Sequence, residues 1–383
     1  MSDIMEGRLL DGRCVRVRTS VCQNGENAYD SEFLEPLNTK FPDSLPLIAP
    51  GIVDLQVNGF AAADFNDPAL TLDGYIHALQ VLRKMNVTTV LPTLITNDAK
   101  ALAQQLALLE SFRQTCQNKK IKDLASAPMY HLEGPFISSE DGYRGAHPLE
   151  FVREPTAESL MEVLPMWMEA SNYRLGIMTF SPHMDSAADF LSVLRKNDIL
   201  PAFGHTHASA ENIHNAALKY QEIENRTPIL ATHLGNACPP LLPRHENPIW
   251  ALLSEDSIWI SMIADGFHLP PDMLKVFWRM KGEKTILVSD ATQFTSMPPG
   301  KYKTFIGGDV TLTPEGKLFL TQAPKMLAGA ARSAYDAWKH LLSLDLAPPE
   351  ILWKMVSENP SAFLRYRKKI EGNYSPFIQI FLT

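Results

Sequence analysis

The sequence has few cysteines and no long apolar run. Four of its 383 residues are cysteines, at 14, 22, 116 and 238, and none forms a CxxC pair. A disulfide framework is therefore not expected. No stretch approaches the roughly 18 uninterrupted apolar residues of a membrane-spanning helix. The first residues carry charges where a signal peptide has its apolar segment. We expect a cytoplasmic protein with reduced thiols.

The sequence also lacks an excess of positive charge. Its 35 Lys and Arg residues against 43 Asp and Glu residues give a formal net charge of -8. An acidic chain is poorly suited to nucleic-acid phosphates, and we expect neither a nucleic acid nor a membrane as partner. A local Arg or His pocket can still hold a small anion. The length suits one large domain with a modest second module.

Short β-rich apolar runs alternate with longer helix-like segments along most of the chain. Eight such runs predict a parallel α/β protein with both sheet faces covered, and eight is the strand number of a (β/α)8 TIM barrel. An open doubly wound sheet remains the alternative, since a strand count does not separate the two. The runs lie at 51–57, 88–94, 127–133, 175–180, 199–205, 229–233, 257–264 and 285–290. The helix-like segments lie at 71–86, 98–117, 155–170, 187–196, 208–221, 271–280, 332–343 and 346–357.

The two ends of the chain have a different character. Residues 1–48 and about 366–383 are β-like without clear helices, which predicts a small β-sandwich-like module beside a catalytic barrel at 49–365. Residues 303–322 predict a β-hairpin around a Pro-Glu-Gly turn. This hairpin is either a further part of the module or an excursion from the barrel rim.

Residues able to bind a metal or move a proton stand at the ends of the apolar runs. One His after a strand is more often structural, but a Glu, two His and an Asp at four strand ends are unexpected by chance. All strand carboxyl ends of a barrel open on one face, so these side chains are expected to converge. The residues are Gln56 and Asn58, His131 and Glu133, His205 and His207, His233, Asp265 and His268, and Asp290.

Two imidazoles and one carboxylate are a common shell of catalytic zinc, with one position left for water. The metal lowers the pKa of that water towards about 7, and a separate carboxylate can carry its proton to a leaving amine. We predict Glu133, His205 and His233 as ligands and Asp290 as the acid/base. The sequence has no HExxH motif, which argues against a thermolysin-like site.

The chain resembles the N-acetylglucosamine-6-phosphate deacetylases of the amidohydrolase superfamily from about residue 49 to about residue 360. The HLEGPF and GAHP motifs are the specific ones. The resemblance implies hydrolysis of N-acetylglucosamine 6-phosphate to glucosamine 6-phosphate and acetate. Its motifs are APGIVDLQVNGF (49–60), HLEGPFIS (131–138), GAHP (145–148), GHTHA (204–208), THLGNACPP (232–240), ADGFHLPPDML (264–274), LVSDAT (287–292), LAGA (327–330) and ENP (358–360).

The resemblance also implies roles for individual residues. Glu133, His205 and His233 match the metal ligands, and Asp290 matches the catalytic carboxylate. His147 matches a catalytic His that contacts the substrate near its acetamido carbonyl. The remaining substrate-binding matches are Asn236, Ala237 and Arg244 for the phosphate, and His268 for the sugar. In the family that Arg reaches into a neighbouring active site, which implies a homodimer.

The first strand limits the number of metal ions. Many members of the superfamily have HxH there and bind two ions, whereas this chain has Gln56 and Asn58. Neutral amides are weak ligands, so we predict one divalent ion. Zinc is the first choice, with iron or another divalent ion as the alternative.

Several positions depart from the family pattern. One explanation is a change in side-chain packing around an unchanged site. The other is a changed sugar pocket, because Gly235 replaces an aromatic residue and removes a stacking surface. His207 is an additional candidate ligand. Three alternative functions remain open: another amidohydrolase acting on a different amide, a divergent member with altered sugar specificity, and a non-catalytic binding protein. The departing residues are His183, Gly235, Cys238, Thr292 and Ala330.

Overall fold

A parallel eight-stranded sheet forms the centre of the structure. The computed structural model describes residues 3–21, 29–36, 46–223, 227–304, 308–368 and 377–380. Each central strand pairs with its neighbour in the sequence. The strands are β1 (Ile52–Val57), β2 (Val87–Ile95), β3 (Tyr130–Glu133), β4 (Leu175–Phe180), β5 (Leu200–Phe203), β6 (Ile229–Ala231), β7 (Ile258–Met262) and β8 (Thr285–Leu287).

The first and last strands of this sheet meet and close it. At the carboxyl ends, the Asp290 amide donates to the Gln56 carbonyl over 3.0 Å, and a parallel bridge joins Val57 to Ala291. Between the two strands, the carbonyls of residues 355 and 356 accept hydrogen bonds from Leu287 of β8 and Val53 of β1. The predicted (β/α)8 barrel is therefore confirmed, and the open sheet is excluded because the two edges are joined.

Ten α-helices surround or follow the barrel strands in the described part of the chain. Helix α6 was not predicted, because it is seven residues long and shows too little periodicity. Its start is well defined, since the Asn247 side chain accepts from two amides of the first turn and Pro248 begins the helix. The helices are α1 (Leu72–Lys84), α2 (Ala99–Asn118), α3 (Ala157–Ala170), α4 (Ala187–Lys196), α5 (Ala210–Ile223), α6 (Pro248–Ser254), α7 (Pro271–Lys281), α8 (Ala334–Ser343), α9 (Pro349–Lys354) and α10 (Glu358–Leu364).

The core has two layers, one between strands and helices and one inside the barrel. Strands β1 and β4 are buried along their whole length, as expected of a sheet covered on both faces. Inside the barrel, an apolar cluster that includes Leu55, Ile177 and Ile286 fills the lower part. The polar side chains at the strand ends consequently stand on a packed apolar floor.

Two further sheets flank the barrel. The N- and C-terminal segments meet in a five-stranded sheet. The described residues of 300–304 and 308–327 form a four-stranded sheet, in which the predicted Pro-Glu-Gly turn separates two antiparallel strands. The predicted domain boundaries remain predictions. The first sheet contains Phe377–Ile380, Leu47–Pro50, Asp3–Arg8, Cys14–Val21 and Tyr29–Pro36, in that order. The second contains Gly300–Lys303, Asp309–Leu312, Leu318–Leu320 and Ala323–Leu327.

Short elements complete the description. A two-stranded ribbon joins Gly59–Phe60 to Ala63–Asp64, and 3-10 helices cover Leu149–Phe151 and Gly282–Lys284. Parts of the predicted terminal module, at 22–28, 37–45, 369–376 and 381–383, lie outside the described residues. Among the helices that the structure describes, none has the length and apolar character needed to cross a membrane.

Candidate active site

The carboxyl ends of β3, β5 and β6 bring one carboxylate and two imidazoles together. Glu133 ends β3, while His205 and His233 each lie two residues beyond their strands. The Glu133 Oε1 atom lies 2.9 Å from His205 Nε2 and 2.7 Å from His233 Nε2, and the two nitrogens are 3.2 Å apart. All three side chains are buried. One ligand atom from each lies close enough to the other two for all three to hold a single metal ion.

The hydrogen bonds of His205 support a cation at this point. Its Nδ1 lies 3.0 Å from the Tyr143 carbonyl oxygen, which only accepts, so Nδ1 carries the proton. In the neutral ring Nε2 then presents a lone pair to Glu133 Oε1. Two acceptor atoms at 2.9 Å without a proton between them repel unless a cation lies beside both. The residues present therefore fit a divalent metal ion.

Four of the predicted site residues have an unusual backbone conformation. His205, His233, Ala237 and Asp290 have φ values of 48°, 31°, 44° and 49°, in the left-handed region that residues other than glycine rarely adopt. Such conformations cost about 1–3 kcal/mol each and are concentrated at functional sites. The chain thus turns sharply just after β5, β6 and β8, where these side chains converge.

Asp290 contacts two side chains at the carboxyl end of the first strand. Its Oδ1 accepts hydrogen bonds from Gln56 Nε2 at 3.1 Å and from Asn58 Nδ2 at 2.7 Å. Burial, followed by the negative charge of Glu133, raises the pKa of Asp290 to about 6. The two amides that stand in place of an HxH pair therefore orient this carboxylate. Oδ2 makes no hydrogen bond to the described part of the chain.

A second buried carboxylate lies below Asp290 and was not singled out from the sequence. Asp54 is on β1, and its Oδ1 accepts from the Ser289 amide over 3.1 Å. Its Oδ2 is buried without a hydrogen-bond partner among the described residues. Burial raises the pKa of Asp54 to about 7. The position of Asp54 within an apolar run gave no indication of this environment.

His147 packs edge-on against His205, with ring centroids 4.3 Å apart. Its Nδ1 lies 2.8 Å from Thr96 Oγ1 and 3.3 Å from the Thr96 amide nitrogen. Burial, helped by the neighbouring His205, lowers the pKa of His147 to about 3. Sequence reasoning missed Thr96, although it is a polar residue directly after β2 and so follows the same strand-end rule.

His268 is held by an acidic partner on its own loop. Its Nδ1 lies 2.8 Å from Asp265 Oδ2, and the other carboxylate oxygen accepts the amides of Phe267 and His268. Arg332 donates to the Asp265 carbonyl over 3.1 Å, and its guanidinium lies 5.0 Å from the centre of the Phe267 ring. The loop after β7 is therefore fixed from two sides.

The predicted phosphate residues are only partly gathered at the site. Asn236 and Ala237 line a cleft that also contains His205 and Tyr143. Arg244 is exposed and makes no hydrogen bond or ion pair within the described residues. Arg244 is thus not among the residues that line this cleft in the described chain.

Gly235 lines the cleft, and apolar side chains occupy the space beside it. A Cβ atom there would lie 3.0 Å from Leu269 and 3.1 Å from both Met273 and Phe277. Its φ of 86° also favours glycine. The glycine accommodates apolar side chains around α7, so this departure accompanies a change in packing.

The other departures also make contacts outside the three-ligand cluster. The His207 ring lies against the His183 ring, with centroids 4.4 Å apart and planes tilted by 34°, and its Nδ1 lies 2.6 Å from Ser138 Oγ. Thr292 Oγ1 donates to the Ala330 carbonyl over 2.9 Å. The thiol of Cys238 lies 3.6 Å from the Gly235 carbonyl oxygen.

Several proteins of known name are similar to this sequence over most of its length. No protein-family model matches the chain. The enzyme named N-acetylglucosamine-6-phosphate deacetylase from Danio rerio is 28% identical over 268 residues, which are 67% of this chain and 61% of that protein. The Bacillus subtilis protein of the same name is 26% identical over 336 residues, or 86% and 76% of the two chains. The human protein of that name is 26% identical over 330 residues, which are 84% of this chain and 75% of that protein.

Solved structures of proteins with the same name share the fold. The structure from Mycobacterium smegmatis has a TM-score of 0.75 and 21% identity, covering 95% of this chain and 91% of that one. The structure from Thermotoga maritima has a TM-score of 0.73 and 23% identity, and the match covers 99% of this chain and 95% of that one. The resemblance indicated by the motifs is thereby confirmed: this chain is related to the N-acetylglucosamine-6-phosphate deacetylases.

Proposed function

We propose that the protein hydrolyses the acetamido group of an amino-sugar phosphate, converting N-acetylglucosamine 6-phosphate to glucosamine 6-phosphate and acetate. The main support is the meeting of Glu133, His205 and His233 near Asp290 at one end of the barrel. The names of the relatives supply the substrate. A cytoplasmic location belongs to the same proposal, supported by the unpaired thiols of the described cysteines.

Glu133, His205 and His233 would hold one divalent ion, with zinc the first choice for this ligand set. When bound, the ion supplies a nucleophilic water at neutral pH and polarises the amide carbonyl. Gln56 and Asn58 are directed at Asp290 and donate to it, which supports a single ion. Buried apolar side chains below the site exclude bulk water from the barrel interior.

Asp290 would move the proton of the reaction. Gln56 and Asn58 hold its Oδ1, so Oδ2 is available to take a proton from the attacking water. The same oxygen can then give that proton to the nitrogen of the leaving amino sugar, so that the proton balance closes. The raised pKa of this buried carboxyl suits a group that both accepts and donates near neutral pH.

The phosphate would bind where the chain leaves β6. Ala237 has a left-handed backbone, with φ of 44°, and lines the cleft together with Asn236. Exposed Arg244 would reach the cleft of a second subunit, where its guanidinium can make a bidentate contact with a phosphate. A homodimer is therefore part of the proposal.

Acetate release from a panel of N-acetylated hexosamines, with and without a 6-phosphate, tests the proposal. Each assay is run with added zinc and after chelation. We expect the fastest release from N-acetylglucosamine 6-phosphate, and loss of activity on chelation that zinc restores. Activity that is insensitive to chelation would contradict the metal-dependent reaction. No acetate from any member of the panel would contradict the deacetylase function.

A further inference from the structure

We propose that Thr96 is a positioning residue that keeps the single proton of the His147 imidazole on Nε2. His147 then donates a hydrogen bond from Nε2 to the amide carbonyl oxygen of the substrate. The contact with the carbonyl rests on the proposed deacetylase function. The position of the proton does not, because it follows from contacts within the chain.

Two contacts from Thr96 determine which nitrogen of His147 accepts. The amide nitrogen of Thr96 lies 3.3 Å from His147 Nδ1, and a backbone amide can only donate. Thr96 Oγ1 lies 2.8 Å from the same nitrogen. Nδ1 must therefore present its lone pair, and a neutral ring bonded in this way has its proton on Nε2.

The surroundings keep the His147 ring neutral and leave Nε2 available. The ring is buried, and the Thr96 amide already donates to the Nδ1 lone pair, so Nδ1 carries no proton. Nε2 makes no hydrogen bond within the described residues. The ring stands edge-on to His205, a candidate ligand, which places this donor beside the point where an amide would be attacked.

The end of β3 is shaped to admit the Thr96 hydroxyl. A Cβ atom on Gly134 would lie 2.2 Å from Thr96 Oγ1, and Gly134 has a φ of 83°. Any other residue at 134 would displace the hydroxyl or the strand end. The glycine directly after Glu133 thus makes room for the contact between Thr96 and His147.

His268 is held in the opposite way. Its Nδ1 lies 2.8 Å from Asp265 Oδ2, and a carboxylate only accepts, so Nδ1 carries a proton. Of these two imidazoles, only His147 has an Nδ1 that accepts, which leaves its proton on Nε2. A carbonyl oxygen needs a donor, and more so as it gains negative charge in the transition state. The contacts from Thr96 therefore leave His147 with a donor at Nε2 for the substrate carbonyl.

The matched variants are Thr96→Val, which removes the hydroxyl at nearly constant volume, and Thr96→Ser, which keeps it. We expect Thr96→Val to lower kcat about tenfold with a smaller change in KM, since the lost hydrogen bond mainly supports the transition state. Thr96→Ser should retain nearly full activity. Bound metal and thermal unfolding should be alike in all three proteins. If Thr96→Val does not fold, Thr96→Ala replaces it.

A tautomer measurement decides the inference independently of turnover. Nitrogen NMR of protein with 15N-labelled histidine, with His147 assigned through His147→Gln, should show a protonated Nε2 and an accepting Nδ1. In Thr96→Val only the backbone amide still donates to Nδ1, so the share of the tautomer with its proton on Nδ1 should rise. A proton on Nδ1 of the unmodified protein, or an unchanged tautomer and kcat in Thr96→Val, would overturn the proposal. Absence of acetate release together with the expected tautomer would reject the deacetylase function and retain the role of Thr96.

Discussion

Asn58 donates its side-chain amide to the carboxylate of Asp290 over 2.7 Å, across the seam where the first and last strands close the barrel. The two residues are 232 positions apart in the sequence. Gln56 donates to the same oxygen from the same strand. The first strand therefore contributes hydrogen-bond donors to the proposed proton carrier in place of metal-binding imidazoles.

Replacing Asn58 should change the behaviour of Asp290. In Asn58→Leu the carboxylate loses a hydrogen bond that lowers its pKa, so the pKa should rise. Because Asp290 must be deprotonated to take a proton, the acidic limb of the kcat/KM profile should move to higher pH. We expect kcat to fall about tenfold. A pH profile identical to that of the unmodified enzyme would show that the contact does not control Asp290.

Replacing Asp290 should stop the chemistry without emptying the metal site. Asp290→Asn keeps the size of the side chain and removes its basic oxygen, so kcat should fall by about 100-fold or more. Metal content per chain, measured by mass spectrometry, should stay near that of the unmodified protein. Full activity in this variant would refute proton transfer by Asp290.

The two imidazoles near Glu133 should be required for metal, and a third imidazole should not. His205→Ala and His233→Ala should lose the bound ion, because each removes one of three converging ligand atoms. His207→Ala is the matched control, since His207 lies on the same loop but contacts Ser138 and His183 instead. Equal metal loss in all three variants would mean that the ligand set is wrongly assigned.

Arg244 should act on the phosphate and not on the sugar. Arg244→Ala should raise the KM for N-acetylglucosamine 6-phosphate about tenfold or more, because a charge-assisted contact is lost. The KM for unphosphorylated N-acetylglucosamine should change little. Arg279→Ala, an exposed arginine on α7, serves as control. Equal changes for both substrates would place the phosphate site elsewhere.

Asp54 should make the stability of the fold depend on pH. Its pKa in the folded chain is about 7, against an ordinary value of 3.8 for an aspartic acid in water. Between these pH values the folded state holds a proton that the unfolded chain has released, so stability should fall as pH rises from about 4 to about 7. In Asp54→Asn the free energy of unfolding should change less over this pH range, by at most roughly 4 kcal/mol. Denaturant unfolding at several pH values measures it, with exposed Asp73→Asn as control. Equal pH dependence in Asp54→Asn and the unmodified chain would contradict this environment.

The sequence by itself determined the barrel and the identity of the converging cluster. Apolar runs of strand length alternate with helical segments, and Glu133, His205 and His233 end three of those runs. Both signals are local, because burial imposes a pattern on each strand and the carboxyl end of a strand is visible in the chain. Helix α6 was not predicted, because seven residues are too few to show a helical periodicity.

Only the tertiary structure decided which polar groups face one another. The bonds from Gln56 and Asn58 to Asp290 and from Thr96 to His147 join residues far apart in sequence, and they depend on strand register and ring orientation. The space beside Gly235 is likewise filled by side chains around α7, which no local pattern reveals. Hydrogen bonds are directional over about 3 Å, so the proton positions at this site follow from packing and not from residue type.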